Sequence, residues 1–373
     1  MRLRSLIAPA LLLPLAACDA SSGQPDNELT TEELVAALPT SDLLLIQYPG
    51  SSSSTKTAVT KTAVTKTAVT TTAVTKTAVT TYGAAKTSAE MTSTTNASVE
   101  ATCDASDNSE TAGFYQQGCS VVQYVNGVVN DVLALLSDVT SHTPTWSDTE
   151  ENTAYWGPYT QDNGVTMWFA MQRNDDGTYS YQLVGKPMDA SDADYLPVLS
   201  GKVEAGVSLT YNEGLFEIDY DHLQVLDPSR NVAGISTYQY DRLDSQTGVQ
   251  AKFDGLLRAD GSLHDGAVDY VLNEDSSGEL FYTFTDDIYV PEDQEEGTTA
   301  QETLKVHTRW LSTGSGRSDA TLSAGDLGSN TAYLTECWDV SYHAVYGALY
   351  IEDLQASQNG DAGQCVFEQP EFP

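Results

Sequence analysis

Basic residues are scarce. The 373-residue chain carries 17 Lys and Arg against 53 Asp and Glu, a formal net charge of −36. Such a surface repels nucleic acid and anionic lipid head groups, so a nucleic-acid partner is excluded. It attracts cations, and weak binding of a divalent ion such as Ca2+ stays open beside the plainer role of keeping the chain in solution. Histidine is equally thin: His142, His222, His264, His307 and His343 are scattered, with no pair at metal-ligand spacing. There is no His-Glu-x-x-His, Gly-x-Ser-x-Gly, P-loop or Gly-x-Gly-x-x-Gly segment. The nearest glycine cluster, Gly314-Ser315-Gly316, has no apolar helix after it and reads as a loop. No residue is therefore assigned a catalytic role, and no cofactor is called for. Cysteines number only five, and none sits at the two-residue spacing of a zinc or thioredoxin site. Long apolar runs are missing too: Leu6 to Leu15 falls short of the roughly 20 residues of a membrane span, and no later run is expected to qualify.

What is present begins at the N-terminus. Arg2 and Arg4, the apolar run and the small residues Ala16-Ala17 have the layout of a signal peptide over residues 1–17. Leu15-Ala16-Ala17-Cys18 resembles a bacterial lipobox. That resemblance implies cleavage before Cys18, a diacylglyceryl thioether and an N-acyl (palmitate-type) chain on it, and a place in a cell envelope anchored to a bacterial membrane. Two signals of this kind hold firmly where a single acyl chain anchors only marginally. Loss of the leader removes two Arg and no acid, taking the net charge to −38. Four cysteines then remain: Cys103, Cys119, Cys337 and Cys365. An even number in an exported chain suggests disulfides. Three pairings are possible; proximity favours Cys103–Cys119 and Cys337–Cys365, each worth about 3 kcal/mol in the chain-entropy model.

Residues 18–27 are small and polar, a leash behind the lipidated cysteine. Residues 28–50 differ. Thr30-x-x-Glu33 has the form of a capping box before Leu34, Ala37 and Leu38, and Leu43-Leu44-Leu45-Ile46 reads as a short buried strand. So apolar a stretch is expected to dock on the main domain. Residues 51–102 are a low-complexity, Thr-rich linker with five Thr-(Lys/Thr)-Thr-Ala-Val pentads, open to O-glycosylation. Fully extended, the linker would reach about 170–190 Å, and as a coil about 40 Å.

Residues 103–373 read as a single β-rich domain. Val121, Val125, Val128, Val132, Leu135 and Val139 recur at three- and four-residue steps, which predicts one long helix over 120–140 with an apolar face that needs cover on most sides. After Trp146 the period becomes two. Twelve strands are predicted, among them Leu215–Leu226, linked by turns such as Asn174–Gly177, Ala259–Ser262 and Asp275–Gly278. Short turns make an antiparallel meander. A sheet so wide must curl, and the helix is the natural filling. The fold class expected is mainly β: a meander curled into a half-barrel or barrel around one N-terminal helix.

Two sets of residues could carry binding. Alternation puts Glu217, Asp219 and Asp221 on one strand face, either a hard-cation site or a solvated edge; Asp189-Ala-Ser-Asp192-Ala-Asp194 offers loop oxygens but lacks the Gly and Glu of a calcium loop. Tyr179, Tyr181, Tyr238, Tyr240 and Trp310 either floor a cleft for a lipid, glycan or protein ligand or fill a β core. The helix-plus-meander plan is similar to half-barrel lipoprotein carriers of the LolA/LolB type. More locally, Leu38-Pro39, Tyr155-Trp156-Gly157-Pro158, the Arg309–Asp319 stretch, Gly325-Asp326-Leu327-Gly328 and Glu336-Cys337-Trp338 resemble predicted lipoproteins of myxobacterial type. That resemblance implies export and one β-rich domain, with no activity attached. The reading is a lipid-anchored envelope protein that binds or supports. A carboxylate-based hydrolase of glycosidase type and a surface adhesin or spacer are the alternatives.

Overall fold

The structure, a computed structural model, describes residues 30–52, 102–103, 111–148, 152–208, 211–243, 245–257, 263–289, 300–351 and 354–373. The signal peptide, Cys18, the pentads and the Ala259–Ser262 turn lie outside them.

Four α-helices occur among these residues: α1 (Thr31–Ala36), α2 (Ser41–Leu44), α3 (Gly113–Thr140) and α4 (Tyr220–Leu226). Two short strands, β1 (Ser51–Ser52) and β2 (Thr102–Cys103), pair with each other. The body is one sheet of 15 strands in strict sequence order, every neighbour antiparallel. These are β3 (Trp146–Asp148), β4 (Thr153–Thr160), β5 (Val165–Arg173), β6 (Tyr179–Pro187), β7 (Leu196–Ser208), β8 (Tyr211–Asp219), β9 (Ile235–Leu243), β10 (Gln246–Leu257), β11 (Leu263–Asn273), β12 (Gly278–Asp286), β13 (Glu302–Trp310), β14 (Gly316–Ala324), β15 (Thr331–Trp338), β16 (Ala344–Ile351) and β17 (Leu354–Gly360). The sheet does not close, because β3 and β17 are its two free edges. Of the two expected forms, the open one is found.

Helix α3 fills the concave face along its width. Near its N-terminus Tyr282 of β12 donates to Gln117 at 2.8 Å. Midway, Tyr124 meets Phe253 of β10 at 5.2 Å between ring centroids. At its C-terminal end the indole of Trp156, from β4, donates to the His142 carbonyl at 2.9 Å. Val122, Val125, Val129, Val132 and Leu136 are buried against the sheet. The helix is long and apolar enough to cross a bilayer by length and composition, against the expectation that no later segment would be. Its buried polar groups are answered from within the fold.

Helix α3 begins at Gly113, seven residues before the predicted start. The local sequence has no cap: Ala112 stands at the N-cap position and makes no side-chain bond. The cap is tertiary. Glu336 of β15 accepts from the Gly113 amide at 3.0 Å and the Phe114 amide at 2.6 Å, where orphan amides and the helix dipole favour a carboxylate.

Residues 30–50 belong to this core. The capping box is formed, with Thr30 and Glu33 exchanging side-chain and backbone bonds. Leu34, Leu38, Leu44, Ile46 and Tyr48 are buried in the same cluster as α3 and the sheet. The predicted strand Leu43–Ile46 is instead one helical turn, Ser41–Leu44, followed by extended chain. It joins no strand. The Asn126 side chain bonds both the Ile46 amide (2.8 Å) and its carbonyl (2.9 Å). The Tyr270 hydroxyl meets the Gln47 amide (3.1 Å) and carbonyl (2.7 Å), and the Tyr115 hydroxyl donates to Pro49 at 2.7 Å. Side chains thus stand in for a ladder. Tyr48 packs on Tyr115 and Trp310. It comes so close to α3 that a Cβ at Gly118 would collide with its ring.

Five strands lie outside the twelve predicted: the short pair β1 and β2, and β3, β16 and β17 of the large sheet. In β16 only Ala348 is fully buried, so the period-two signal is weak there.

Candidate functional site

The structure separates the predicted site residues. Strand β8 stops at Asp219, because its carboxylate accepts the His222 amide at 2.8 Å and caps α4. The predicted strand Leu215–Leu226 is therefore corrected to a strand and a helix. With that change Glu217, Asp219 and Asp221 no longer share a strand face. Glu217 is exposed, and Asp221 accepts the Gly234 amide at 2.9 Å. No cluster of metal-ligating side chains occurs among the described residues. In the 189–194 loop the Lys186 ammonium bonds Asp192 at 2.8 Å and the Ala190 carbonyl at 2.7 Å. The chain's own cation thus sits where an ion was considered.

Tyr181, Tyr238, Tyr240 and Trp310 are buried in the core, and Tyr179 is half-buried at its border. Tyr238 stacks on Phe216 at 4.7 Å and meets Phe253 edge-on at 5.9 Å. Tyr181 and Tyr240 lie over Gly201 and Gly214 on the adjacent strands. These rings fill the space between sheet and helix.

The most concentrated polar chemistry lies on the opposite, convex face. Arg309 of β13, Arg317 and Asp319 of β14 and Thr335 of β15 all point outward, yet each is buried. Their cover is the C-terminal segment 365–373. Asp319 accepts from Arg309 Nη2 at 2.9 Å, from Arg317 Nε at 2.9 Å and from Thr335 Oγ1 at 2.7 Å. It also takes the Glu371 backbone amide at 3.0 Å. Arg317 donates to the Phe367 carbonyl at 2.8 Å, and Arg309 to the Gln369 carbonyl at 3.2 Å. Arg309 also pairs with the Glu371 carboxylate at 2.7 Å and lies 4.8 Å from the Phe367 ring centre. Sequence alternation alone would read these residues as a solvated face; the cover that buries them lies some 50 residues downstream in the chain. Both Asp319 oxygens are occupied, so the centre acts as a staple for the tail and leaves no carboxylate oxygen for a substrate.

A disulfide between Cys337 and Cys365 holds the start of the same segment, the proximity pairing of the sequence. Cys119 is also disulfide-bonded, and the side chain of Cys103 lies outside the described residues. Replacing Cys337 and Cys365 together with Ser is expected to cost about 3–4 kcal/mol in the chain-entropy model, read as a lower urea midpoint. An unchanged midpoint would mean the polar centre alone fixes the tail.

Glu336 is the other unusual group. Burial pushes its carboxyl up to about 7, against the lowering effect of the Phe114 and Gly113 amides. The unfolded chain ionises nearer 4.5, so between these values the folded state holds a proton that the unfolded state releases. This contribution to stability is full below about pH 4.5 and is lost as pH rises through about 7. Between pH 5 and pH 7.5 the native chain is expected to lose stability relative to Glu336→Gln. Parallel pH profiles in urea unfolding would refute the assignment.

No protein-family model, curated protein or solved structure matches the chain.

Proposed function

We propose that the chain is a lipid-anchored cell-envelope protein, tethered through Cys18, whose β-rich domain binds or supports a partner rather than catalysing a reaction. The observation that carries this reading is the burial of Leu34, Leu38, Leu44, Ile46 and Tyr48 in the core. It leaves only the short stretch between Cys18 and Thr30 as tether. Those eleven residues span at most about 40 Å extended and about 20 Å as a coil. The pentad linker then lies between two parts of one folded body and is not a stalk that lifts the domain. This favours a domain lying close to its membrane over a projecting adhesin. The lipobox, and the resemblance to myxobacterial-type and LolA/LolB-type lipoproteins, point the same way.

The test is metabolic labelling with a palmitate analogue in a bacterial host. The full chain is expected to be labelled and membrane-bound, and Cys18→Ala to be unlabelled and released by a salt wash. Equal labelling of both, or a soluble native chain, would reject the reading.

A further inference from the structure

At one end of the sheet the convex face carries an aromatic ridge, exposed at Trp146 and half-buried at Tyr155, Trp168 and Tyr195. Trp146, on edge strand β3, is 49% exposed and lies 5.1 Å from Tyr155, its cross-strand partner on β4. Tyr155 contacts Trp168 of β5 at 5.6 Å, and Trp168 meets Tyr195 edge-on at 6.0 Å. Met188, just after β6, is 57% exposed. The neighbours Trp156 and Phe169 point the other way, into the core, so the ridge is the outward half of an alternation that is aromatic on both faces. Lys186 stands over Tyr195 at 5.2 Å, with its charge answered by Asp192.

We propose that this ridge is the surface that rests on the membrane, seated among the head groups of a zwitterionic lipid bilayer. Two observations select that occupant. The first is where the chain enters: α1, the first helix described, packs against β5 from the core side, two strands from the free edge β3, and a tether of about 40 Å is long enough to round that edge to the ridge. The acylated Cys18 of the proposed function, on which this inference rests, is then within reach of the same end. The second is chemistry. Trp and Tyr with an apolar body and a polar edge are the residues favoured at the water–lipid boundary. Asp189 and Asp194, exposed in the adjoining loop, disfavour an anionic leaflet and leave a neutral one. The ridge turns a tether at one point into a fixed orientation, with the C-terminal staple on strands far across the sheet from the ridge.

The experiment uses the full lipidated chain in phosphatidylcholine vesicles whose acyl chains carry bromine near the head group. Tryptophan emission is expected to be quenched, and Trp146→Leu, a change on an exposed edge strand, to remove at least half of that quenching. Flotation of the vesicles and the mass of the N-terminal peptide report the anchor separately. If Cys18 carries no lipid, coupling it to a maleimide phospholipid supplies the anchor and the quenching arm proceeds unchanged. An anchored chain without quenching overturns the proposal. So does quenching that survives in both Trp146→Leu and Trp168→Leu. A shift in emission on adding a cello-oligosaccharide, with no quenching by lipid, overturns it in favour of a sugar platform.

Discussion

Asp319→Ala is expected to destabilise the protein more than any other single change at a polar residue, by about 3–5 kcal/mol. The carboxylate is fully buried between Arg309 and Arg317, whose side chains are 8% and 6% exposed. Removing it leaves two guanidinium groups facing each other with only Glu371, itself 59% exposed, as counter-charge. Breaking one member of a buried ionic set is costly because the remaining charges stay desolvated. The Glu371 amide and the Thr335 hydroxyl also lose their acceptor. The expected result in urea unfolding is a large drop in midpoint, together with faster proteolysis after residue 365. A loss below about 1 kcal/mol, the range of an exposed pair, would show that the tail is not seated as described. Replacing Arg309, Arg317 and Asp319 together by apolar residues of similar volume is expected to cost much less than Asp319→Ala, since no unpaired charge is left.

The second large effect is expected at Asn126. Its side chain serves the amide and the carbonyl of Ile46 in a buried setting. Asn126→Ala orphans both groups, at about 1–3 kcal/mol each, and opens space beneath buried Ile46. The loss should be local. Hydrogen exchange is expected to accelerate at residues 44–50 while strands β8–β12 keep their protection. Uniform acceleration would mean that residues 30–50 and the sheet unfold as one unit; no acceleration would mean that Tyr270 and Tyr115 suffice. The result bears on the proposed function. Freed from the core, the segment would lengthen the tether and let the domain leave its membrane.

Much of this architecture could be read from residue order. The valine steps from Val121 to Val139 marked the helix, and alternation such as Val249-Gln250-Ala251-Lys252-Phe253 marked the strands, because burial on one face imposes a period that no neighbour can alter. The Asn174–Gly177 and Asp275–Gly278 turns carry their own geometry: the Gly177 amide closes on Asn174 at 2.9 Å, and Ser277 donates to Asp275. The failures share one cause. At Asp219 the side chain capped a helix where alternation continued the strand. At Leu43–Ile46 an apolar run took a helical turn, because its backbone partners were side chains from α3 and β11. At Gly113 the cap arrived from β15, more than 200 residues away.

The candidate sites divide along the same line. Tyr181, Tyr238 and Tyr240 looked alike whether they lined a cleft or filled a core. Only the position of α3, which occupies the concave face, decided for the core. Arg309, Arg317 and Asp319 occupy outward positions of their strands, and the tail that covers them has no pattern of its own. Sequence by itself determined the acidic composition, the single long helix and the antiparallel meander, since each rests on composition or on a local period. Which charges are buried, what caps the helix, where residues 30–50 dock and which aromatic residues face outward were decided only by the tertiary structure. Each of these depends on a partner brought from far along the chain, and no local period records a distant neighbour.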